Sequence, residues 1–454
     1  MPAADTTLPA PPQRPLERFL RLFADVRGGE GPRLLLLALN VFLILVAYYV
    51  MKPVREVLIL DQPGGAEIKS YAYAAQAVLL FAIVPIYSAL AGRLPRRRLI
   101  NVVTGFFIVC LPAFFFLAER GAPIGVVFFL WIGVFSLMVI AQFWAYANDV
   151  YTPDEGKRLF AVIAFGASSG AVAGSWVSSH LIVAIGVNAL LLAAAAILAA
   201  SLALFNMIDL YVDGSRLRRA PREIIEAERA IGGRNAFTLV LRSRYLLLMA
   251  LVILLLNWVN SAGEYILSSI VKHAADAEVA AGRIGAGDEG KFIGAFFADY
   301  FQVVNIAGMV LQLFFVSRIV KHVGVPVALC VLPVVALVSY GTAALIPSLA
   351  IMRWVKTAEN SFDYSLMNTV RQMLFLPTSR EEKYKAKQVI DTFVVRSGDV
   401  LSAGTVYLGS AVFVLSVSQF AIINVVLVLA WIALSVMTGL EFRRRTQEAP
   451  GMPQ

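Results

Sequence analysis

The stretch LLLLALNVFLILVAYYVMKPVREVLIL, residues 34–60, indicates the class of this protein. It is long enough to cross a bilayer, because about 20 mostly apolar residues span the ~30 Å hydrocarbon layer at ~1.5 Å per residue. It also contains Lys52, Arg55 and Glu56, which are costly in hydrocarbon. An apolar run that keeps such charges predicts a membrane helix with one face turned toward a polar interior.

The composition of the whole chain extends this interpretation. Hydrophobic residues make up 59% of the 454 residues, charged residues only 15%, and the mean hydropathy is +0.75. A soluble globular chain has roughly 45–50% apolar and ~25% charged residues, so a soluble enzyme is excluded. The three histidines lie far apart and no Walker-type phosphate loop occurs. We therefore expect an all-α polytopic membrane protein that is not an enzyme and needs no metal or cofactor.

Twelve apolar runs are long enough to span a membrane. Their length, and the lack of strict alternation, favour helices over barrel strands. The runs are 34–60, 71–92, 99–118, 123–147, 159–183, 184–210, 245–271, 296–320, 325–347, 348–376, 386–414 and 418–441.

The net charge of +9 reflects membrane topology rather than nucleic-acid binding. Most Lys and Arg residues fall in alternate loops, as the positive-inside rule requires for cytoplasmic segments. The opposite loops contain five: Lys69, Arg120, Lys272, Arg283 and Lys291. We expect both termini to be cytoplasmic, in a bacterial inner membrane. We also expect lipid contact, no nucleic-acid partner and a monomer.

The longest predicted cytoplasmic segment divides the chain into two halves of six spans. The predicted divisions are a cytoplasmic N-terminal segment (1–33) with a short amphipathic helix over 15–26, a first six-helix half (34–210), a linker (211–244), a second six-helix half (245–441) and a cytoplasmic tail (442–454).

The loop SALAGRLPRRRL, residues 88–99, resembles the G-x-L-A-D-R-x-G-R-R signature of the major facilitator superfamily. Ser88, Gly92 and Pro95 replace its first Gly, its Asp and its second Gly. With the division into six plus six helices, this resemblance favours a facilitator-type transporter. Such folds hold their substrate at mid-membrane between two halves.

Ionisable residues concentrate in runs that line the cavity of such a fold. Lys356, Asn360 and Asp363 follow helical three-to-four spacing, which places them on one face. Cations in such a cavity favour an anionic substrate, because guanidinium groups bind phosphate or carboxylate in bidentate geometry. The candidate substrate-binding residues are Lys52, Arg55, Glu264, Lys356, Asn360, Asp363 and Arg371. The candidate gating or structural charges are Glu56, Asp149, Arg158, Asp391, Arg396 and Asp399.

Structural interpretations compete with these assignments. Lys52 and Glu56 can neutralise each other at i,i+4, Arg396 and Asp399 can form a structural pair, and Arg371 can pair with Asp363. Asp149, with Lys157 and Arg158, can belong to a cytoplasmic gate or loop. The Gly-rich segment 166–174 lies inside a span and predicts close helix packing.

Four segments carry a resemblance to one particular family. The stretch YVMKPVREVL (49–58) is similar to L-R-D-T-K-D-x-L, and DEGKRLF (154–160) is similar to E-A-K-R-F-Y. The stretch NSAGEY (260–265) contains a membrane glutamate. The segment from YSLMNTVRQMLFLP to KYKAKQVID (364–391) is similar to Y-S-L-x-x-x-x-K-E-M-x-Y-I-P followed by K-x-K-x-K-A-x-I-D. The family is that of the bacterial and plastid nucleotide transporters, or ATP/ADP translocases.

The resemblance implies exchange of nucleotides, such as ATP for ADP, through a central cationic cavity. It implies that Lys52, Arg55 and Arg371 contact phosphates, and that Glu264 and Asp363 compensate charge or bind base, ribose or a coupling proton. Gln372 and Asp399 depart from the family pattern. Two alternatives remain: a proton-coupled transporter of another organic anion, and a non-transporting membrane receptor or scaffold.

Overall fold

The computed structural model describes residues 25–27, 29–211, 236–379 and 382–448. All regular secondary structure within these ranges is helical. The predicted amphipathic helix over 15–26 and most of the linker 211–244 lie outside the described residues, as does the end of the tail. The predicted domain boundaries remain predictions there.

The first half contains six long helices. They are α1 (Gly31–Leu60), α2 (Gly65–Arg93), α3 (Arg96–Glu119), α4 (Gly125–Val150), α5 (Pro153–Ile185) and α6 (Ala189–Tyr211). The second half begins with the short helix Ala236–Arg242 and continues with α7 (Arg244–Ala280), α8 (Glu289–Val310), α9 (Val316–Leu345), α10 (Leu349–Phe362), α11 (Val395–Tyr407) and α12 (Val417–Glu448).

The multi-pass, all-helical class is confirmed, whereas the count of twelve spans remains a prediction. By length and hydropathy, nine helices of the described chain qualify as membrane spans, and one of these covers both α8 and α9. Within α9 the chain changes direction at Gly324, whose φ of 75° is left-handed. The predicted runs 348–376 and 386–414 form helices interrupted by π-turns at Asp363–Met367 and Ile390–Val394.

The two halves pack in the same way. In the first half α1 contacts α4, α5 and α6, and α3 contacts α6. In the second half α7 contacts α10, α11 and α12, and α9 contacts α12. This repeated pattern of contacts indicates two halves built in a similar way.

Glycines bring α1 and α5 into close contact. A Cβ atom at Gly170 would lie 2.4 Å from the Phe42 carbonyl oxygen, and at Gly166 and Gly174 it would lie 2.7 Å from other α1 carbonyl oxygens. Helices in lipid gain much of their association energy from such packing of small residues. The Gly-rich segment is therefore a packing surface, as the sequence predicts.

The main contacts between the halves pair α2 with α11, α2 with α7, α5 with α8, and α1 with α8. We call the end at which α1 finishes and α2 starts the outer end, and the opposite end the inner end. The sequence predicts that the inner end faces the cytoplasm. The helices α1, α7 and α10 surround the middle of the bundle and position the charged residues described next.

Candidate functional site

The outer half of α1 places Lys52, Arg55 and Glu56 in the interior. Glu56 is fully buried and accepts hydrogen bonds from the neighbouring Arg55 guanidinium. Its other carboxylate oxygen lies 2.6 Å from Nζ of Lys69, which belongs to the first turns of α2. Because an unpaired buried carboxylate is strongly unfavourable, these two cations are what allow Glu56 to remain there as a charge.

Lys69 also connects the two halves of the protein. Its ammonium donates a hydrogen bond to the Ser268 hydroxyl at 2.9 Å and lies 3.6 Å from a Glu264 carboxylate oxygen, both on α7. Only 1% of Lys69 is exposed. A single buried ammonium therefore joins α1, α2 and α7 near the outer end.

Lys356, in the second half, extends this set of paired charges. The Lys356 ammonium on α10 donates to the Asn260 side-chain oxygen at 2.7 Å and lies 3.2 Å from Glu359 and 3.9 Å from Glu264. Asn360 donates to Glu264 at 3.2 Å. The candidate residues Glu264, Lys356 and Asn360 are thus brought together by α7 and α10.

We call the set Arg55, Glu56, Lys69, Glu264, Lys356 and Glu359 the central charge network. It contains three cations and three carboxylates, so its formal charge is zero. The Tyr340 hydroxyl on α9 lies 2.9 and 2.8 Å from the two Glu359 carboxylate oxygens, so its single hydrogen is donated to this buried acid. Each charged group of the network is paired with another member of the network, and the network joins the first half to the second.

Lys52 lies one helical turn from this network toward the inner end. It is 7% exposed, and its ammonium sits over aromatic rings, 4.3 Å from the Phe301 centroid, 4.8 Å from Tyr49 and 5.7 Å from Tyr48. Within the described residues it takes part in no ion pair. Because the network beside it is neutral, Lys52 adds an uncompensated positive charge to the centre.

The alternative in which Lys52 neutralises Glu56 is not observed. Although the two residues are four apart on α1, the Glu56 carboxylate turns to Arg55 and Lys69 instead. The reason is nonlocal: α2 supplies a cation at 2.6 Å, and the aromatic rings hold the Lys52 ammonium by cation–π contact.

A cavity of about 400 Å³ adjoins this centre. It lies between α1, α5, α8 and the chain that follows α10, and Tyr49 belongs both to its wall and to the rings around Lys52. Its polar and aromatic lining includes Ser168, Asn305, Gln312, Tyr364 and Asn368.

The prediction that Lys69 lies in an outer loop is wrong. Helix α2 begins at Gly65, six residues before the predicted run 71–92, so Lys69 is helical and buried. Hydropathy predicts the start of a helix where apolar residues begin. A buried lysine in the first turns therefore shifts the predicted start of the helix too far along the chain. Its partners Glu56 and Glu264 are distant in sequence, so no local signal identifies it.

The structure places Arg371 away from the centre. Its guanidinium bonds to Asp391 at 2.5 and 3.2 Å, near the inner end, rather than to Asp363. Arg371 follows Lys356 by 15 residues, which corresponds to about 22 Å along a helix. The structure therefore does not bring Arg55 and Arg371 together. Asp363 takes part in no ion pair within the described residues.

The remaining candidate charges lie in structural pairs. Arg396 and Asp399 pair at 3.0 Å, as their spacing suggests, and Ser261 donates to Asp399 at 2.7 Å. Asp149 and Arg158 do not pair with each other. At the inner end Asp149 bonds to Arg96 and Arg158 bonds to Glu30, the latter at 2.9 Å.

Solved structures place the fold among transporters. The chain is similar to a bacterial homolog of the human lysosomal transporter Spinster, captured inward-facing, with a TM-score of 0.60, 13% identity and coverage of 91% of this chain and 98% of that one. It is also similar to the nucleoside transporter NupG, with a TM-score of 0.59, 12% identity and coverage of 91% and 99%. At these identities the likeness concerns the fold, which is that of a facilitator-type transporter.

Sequence comparisons point to a narrower group of transporters. The family model described as TLC ATP/ADP transporter matches residues 12–118. ADP,ATP carrier protein 1 of Chlamydia trachomatis is 23% identical over 492 aligned positions, covering 91% of this chain and 90% of that protein. ADP,ATP carrier protein 2 of Chlamydia pneumoniae is 22% identical over 241 positions, covering 48% and 42%. The protein is a transporter and not an enzyme, and its resemblance to the bacterial and plastid nucleotide transporters is confirmed.

Proposed function

We propose that this chain is a nucleotide antiporter of a bacterial inner membrane that works by alternating access. The observation that carries the proposal is that Lys52 is a buried cation beside a neutral charge network and a cavity. Within the described residues it takes part in no ion pair. A buried ammonium favours an anionic ligand, because the ligand replaces the water that the cation has lost. The relatives named as ADP,ATP carrier proteins support a nucleotide as that anion.

The central charge network acts as the outer gate in this proposal. To open the outer end, α1 and α2 must separate from α7, so Lys69 must leave Ser268 and Glu264. In the empty protein that movement costs each group one buried partner: Lys69 keeps Glu56, and Glu264 keeps Lys356 and Asn360, in a poorly solvated interior. Substrate phosphates take the place of Glu264 beside the cations, so the loaded protein changes conformation more easily than the empty one. This difference makes transport an exchange.

Vesicles containing the purified protein test the exchange directly. We expect labelled ATP to enter vesicles preloaded with ADP or ATP and to enter empty vesicles at least about tenfold more slowly, as a barrier difference of ~1.4 kcal/mol produces. Equal rates with empty and loaded vesicles would rule out obligate exchange.

The variant Glu264→Gln tests the role of the gate carboxylate. We expect exchange to slow at least about tenfold, while nucleotide affinity changes less, because Glu264 holds Lys69 and Lys356 mainly in the substrate-free state. Glu278→Gln is a matched control, since Glu278 lies on the same helix but pairs with exposed Arg283 at the outer end. Transport by Glu264→Gln at the native rate from pH 6 to 8 would contradict this role.

One observation favours the proton-coupled transport of another organic anion as a second candidate. Asp363 is a partly buried carboxylate near the cavity, and it is in no ion pair within the described chain. Such a group can carry a proton. Uptake into empty vesicles that is driven by a pH gradient and abolished by Asp363→Asn would favour this candidate over exchange.

A further inference from the structure

The cavity beside Lys52 has features that the phosphate contacts of the proposed function do not use. Its volume of about 400 Å³ falls within the ~300–1,000 Å³ typical of small-molecule sites. Lys52 does not itself line the cavity, so a phosphate group beside its ammonium leaves most of that space free. The remainder lies between α1, α5 and α8 and extends toward the inner end.

Aromatic rings occupy two walls of the cavity. Tyr49 contributes from α1 and Tyr364 from the π-turn that follows α10. Tyr364 is 45% exposed although it lies in the middle of the chain's tenth predicted span. A π-turn inserts one extra residue into a helix and is frequent at functional sites. Here it accompanies a large ring that faces open space.

Side-chain amides supply the polar part of the lining. Asn305 is 9% exposed and is held in place by hydrogen bonds from its Nδ2 to Ser175 Oγ at 2.9 Å and to the Ala171 carbonyl at 3.3 Å. Asn368 and Gln312 lie on the same cavity. Amides offer donors and acceptors but no charge, which suits a neutral ligand group that carries both.

We propose that this cavity is a nucleobase subsite, in which a planar nitrogen heterocycle stacks on Tyr364 and the amides contact its edge. The inference rests on the proposed function and deepens it, because it assigns the uncharged part of the substrate to named residues. Tyr49 touches both the cavity and the Lys52 ammonium, so a base in the cavity places the attached phosphates next to Lys52. Stacking on an aromatic ring tolerates any base, whereas the amides discriminate between edges.

Binding measurements on the full chain in nanodiscs test the subsite. The probes are ATP and inorganic triphosphate, which share the phosphates and differ in the nucleoside. Tyr364→Ala is expected to weaken ATP binding roughly 10- to 100-fold, as loss of a stacking ring does, and to leave triphosphate binding within about twofold. Tyr364→Phe should bind ATP like the native chain.

Tyr407→Ala serves as the matched control. Tyr407 is 55% exposed on α11 and contacts Tyr71 of α2, away from the cavity lining. It should leave both affinities unchanged. An equal loss of ATP and triphosphate binding in Tyr364→Ala, or no loss of either, would overturn the subsite.

Two further outcomes separate this inference from the proposed function. If the native protein binds triphosphate as tightly as ATP, the base subsite is wrong while transport of a phosphate-bearing anion stands. If it binds neither, both proposals are wrong. Photolabelling of the native protein with 8-azido-ATP needs no variant: we expect the label on peptides containing Tyr49 or Tyr364, and labelling confined to other helices would contradict the subsite.

Discussion

The central charge network and the ion pairs of the inner end use the same residue types under different conditions. In the network, Lys69 and Glu56 have side-chain exposures of 1% and 0%, and Lys69 reaches across to the second half. At the inner end, Arg371 and Asp391 have exposures of 23% and 30%, and both belong to the second half. Likewise Arg158 of the first half pairs with Glu30, which directly precedes α1, so this pair does not reach the second half.

Under the proposed alternating access, this difference separates contacts that persist from contacts that must break. A pair within one half would move with that half and stay intact. A pair between halves would have to open in each cycle, and its burial would make the opened state costly. The proposal therefore assigns control of the conformational equilibrium to the network and stabilisation of each half to the inner-end pairs.

The largest effect is expected when the network loses its bridging cation. Lys69→Met leaves Glu56 and Glu264 without their shared partner, and removing one member of a buried ion pair costs about 3–5 kcal/mol. We expect a strongly lowered melting temperature in detergent and loss of exchange.

Lys291→Met is the control for that change, because Lys291 is 59% exposed in its pair with Asp288. The double variant Lys69→Met/Glu56→Gln should recover part of the stability, since it restores equal numbers of cations and carboxylates in the network. A native melting temperature for Lys69→Met would mean that Lys69 does not stabilise the folded protein through the network.

A smaller effect is expected from overpacking within one half. Gly170→Ala places a Cβ 2.4 Å from the Phe42 carbonyl oxygen, and forced separation of packed helices costs about 1–3 kcal/mol. We expect a lower melting temperature and a reduced yield of folded protein. Gly105→Ala is the matched control, because a Cβ there meets no atom within 4 Å. Equal behaviour of the two variants would show that the α1–α5 contact adapts freely.

Arg371→Gln should have a modest effect on stability and little on binding. The Arg371–Asp391 pair is partly exposed, so its loss costs about 1 kcal/mol. Nucleotide affinity should stay within about twofold, because Arg371 lies about 22 Å along the helix from Lys356. Isothermal titration of the folded variant measures this, with Lys356→Gln as the central comparison. A tenfold loss of affinity in Arg371→Gln would instead support the expectation from the family resemblance that Arg371 contacts the substrate phosphates.

The smallest effect concerns pH at the inner end. Burial raises the pKa of the Glu30 carboxyl, but hydrogen bonds from the Arg158 side chain and the Arg27 backbone outweigh it and hold the pKa below its ordinary value of 4.5. The pair therefore adds stability above about pH 4.5 that is lost as the pH falls through the lowered pKa, less than about 1 kcal/mol in all. Between pH 7 and pH 3, Glu30→Gln should lose slightly less melting temperature than the native chain. A difference that appears between pH 8 and 6 instead would point to another group.

Predictions made from single residues succeeded where the cause is local. Arg396 and Asp399 pair because three residues on a helix bring them together, and the glycines of 166–174 pack because they lie on one face. Glu264, Lys356 and Asn360 meet because two predicted spans turn their polar faces inward. The same kind of local spacing also suggested a pair between Lys52 and Glu56, which the structure does not contain.

The sequence by itself determined the class of the protein, because apolar length and the distribution of charges act through the bilayer and need no knowledge of neighbouring helices. The tertiary structure alone decided which charges meet. Lys69 lies in α2 rather than in the predicted loop and bridges Glu56 and Glu264. Arg371 pairs with Asp391 at the inner end. A buried charge takes whichever partner the packing of distant helices brings within about 4 Å, since at short range and low dielectric that contact outweighs every local preference.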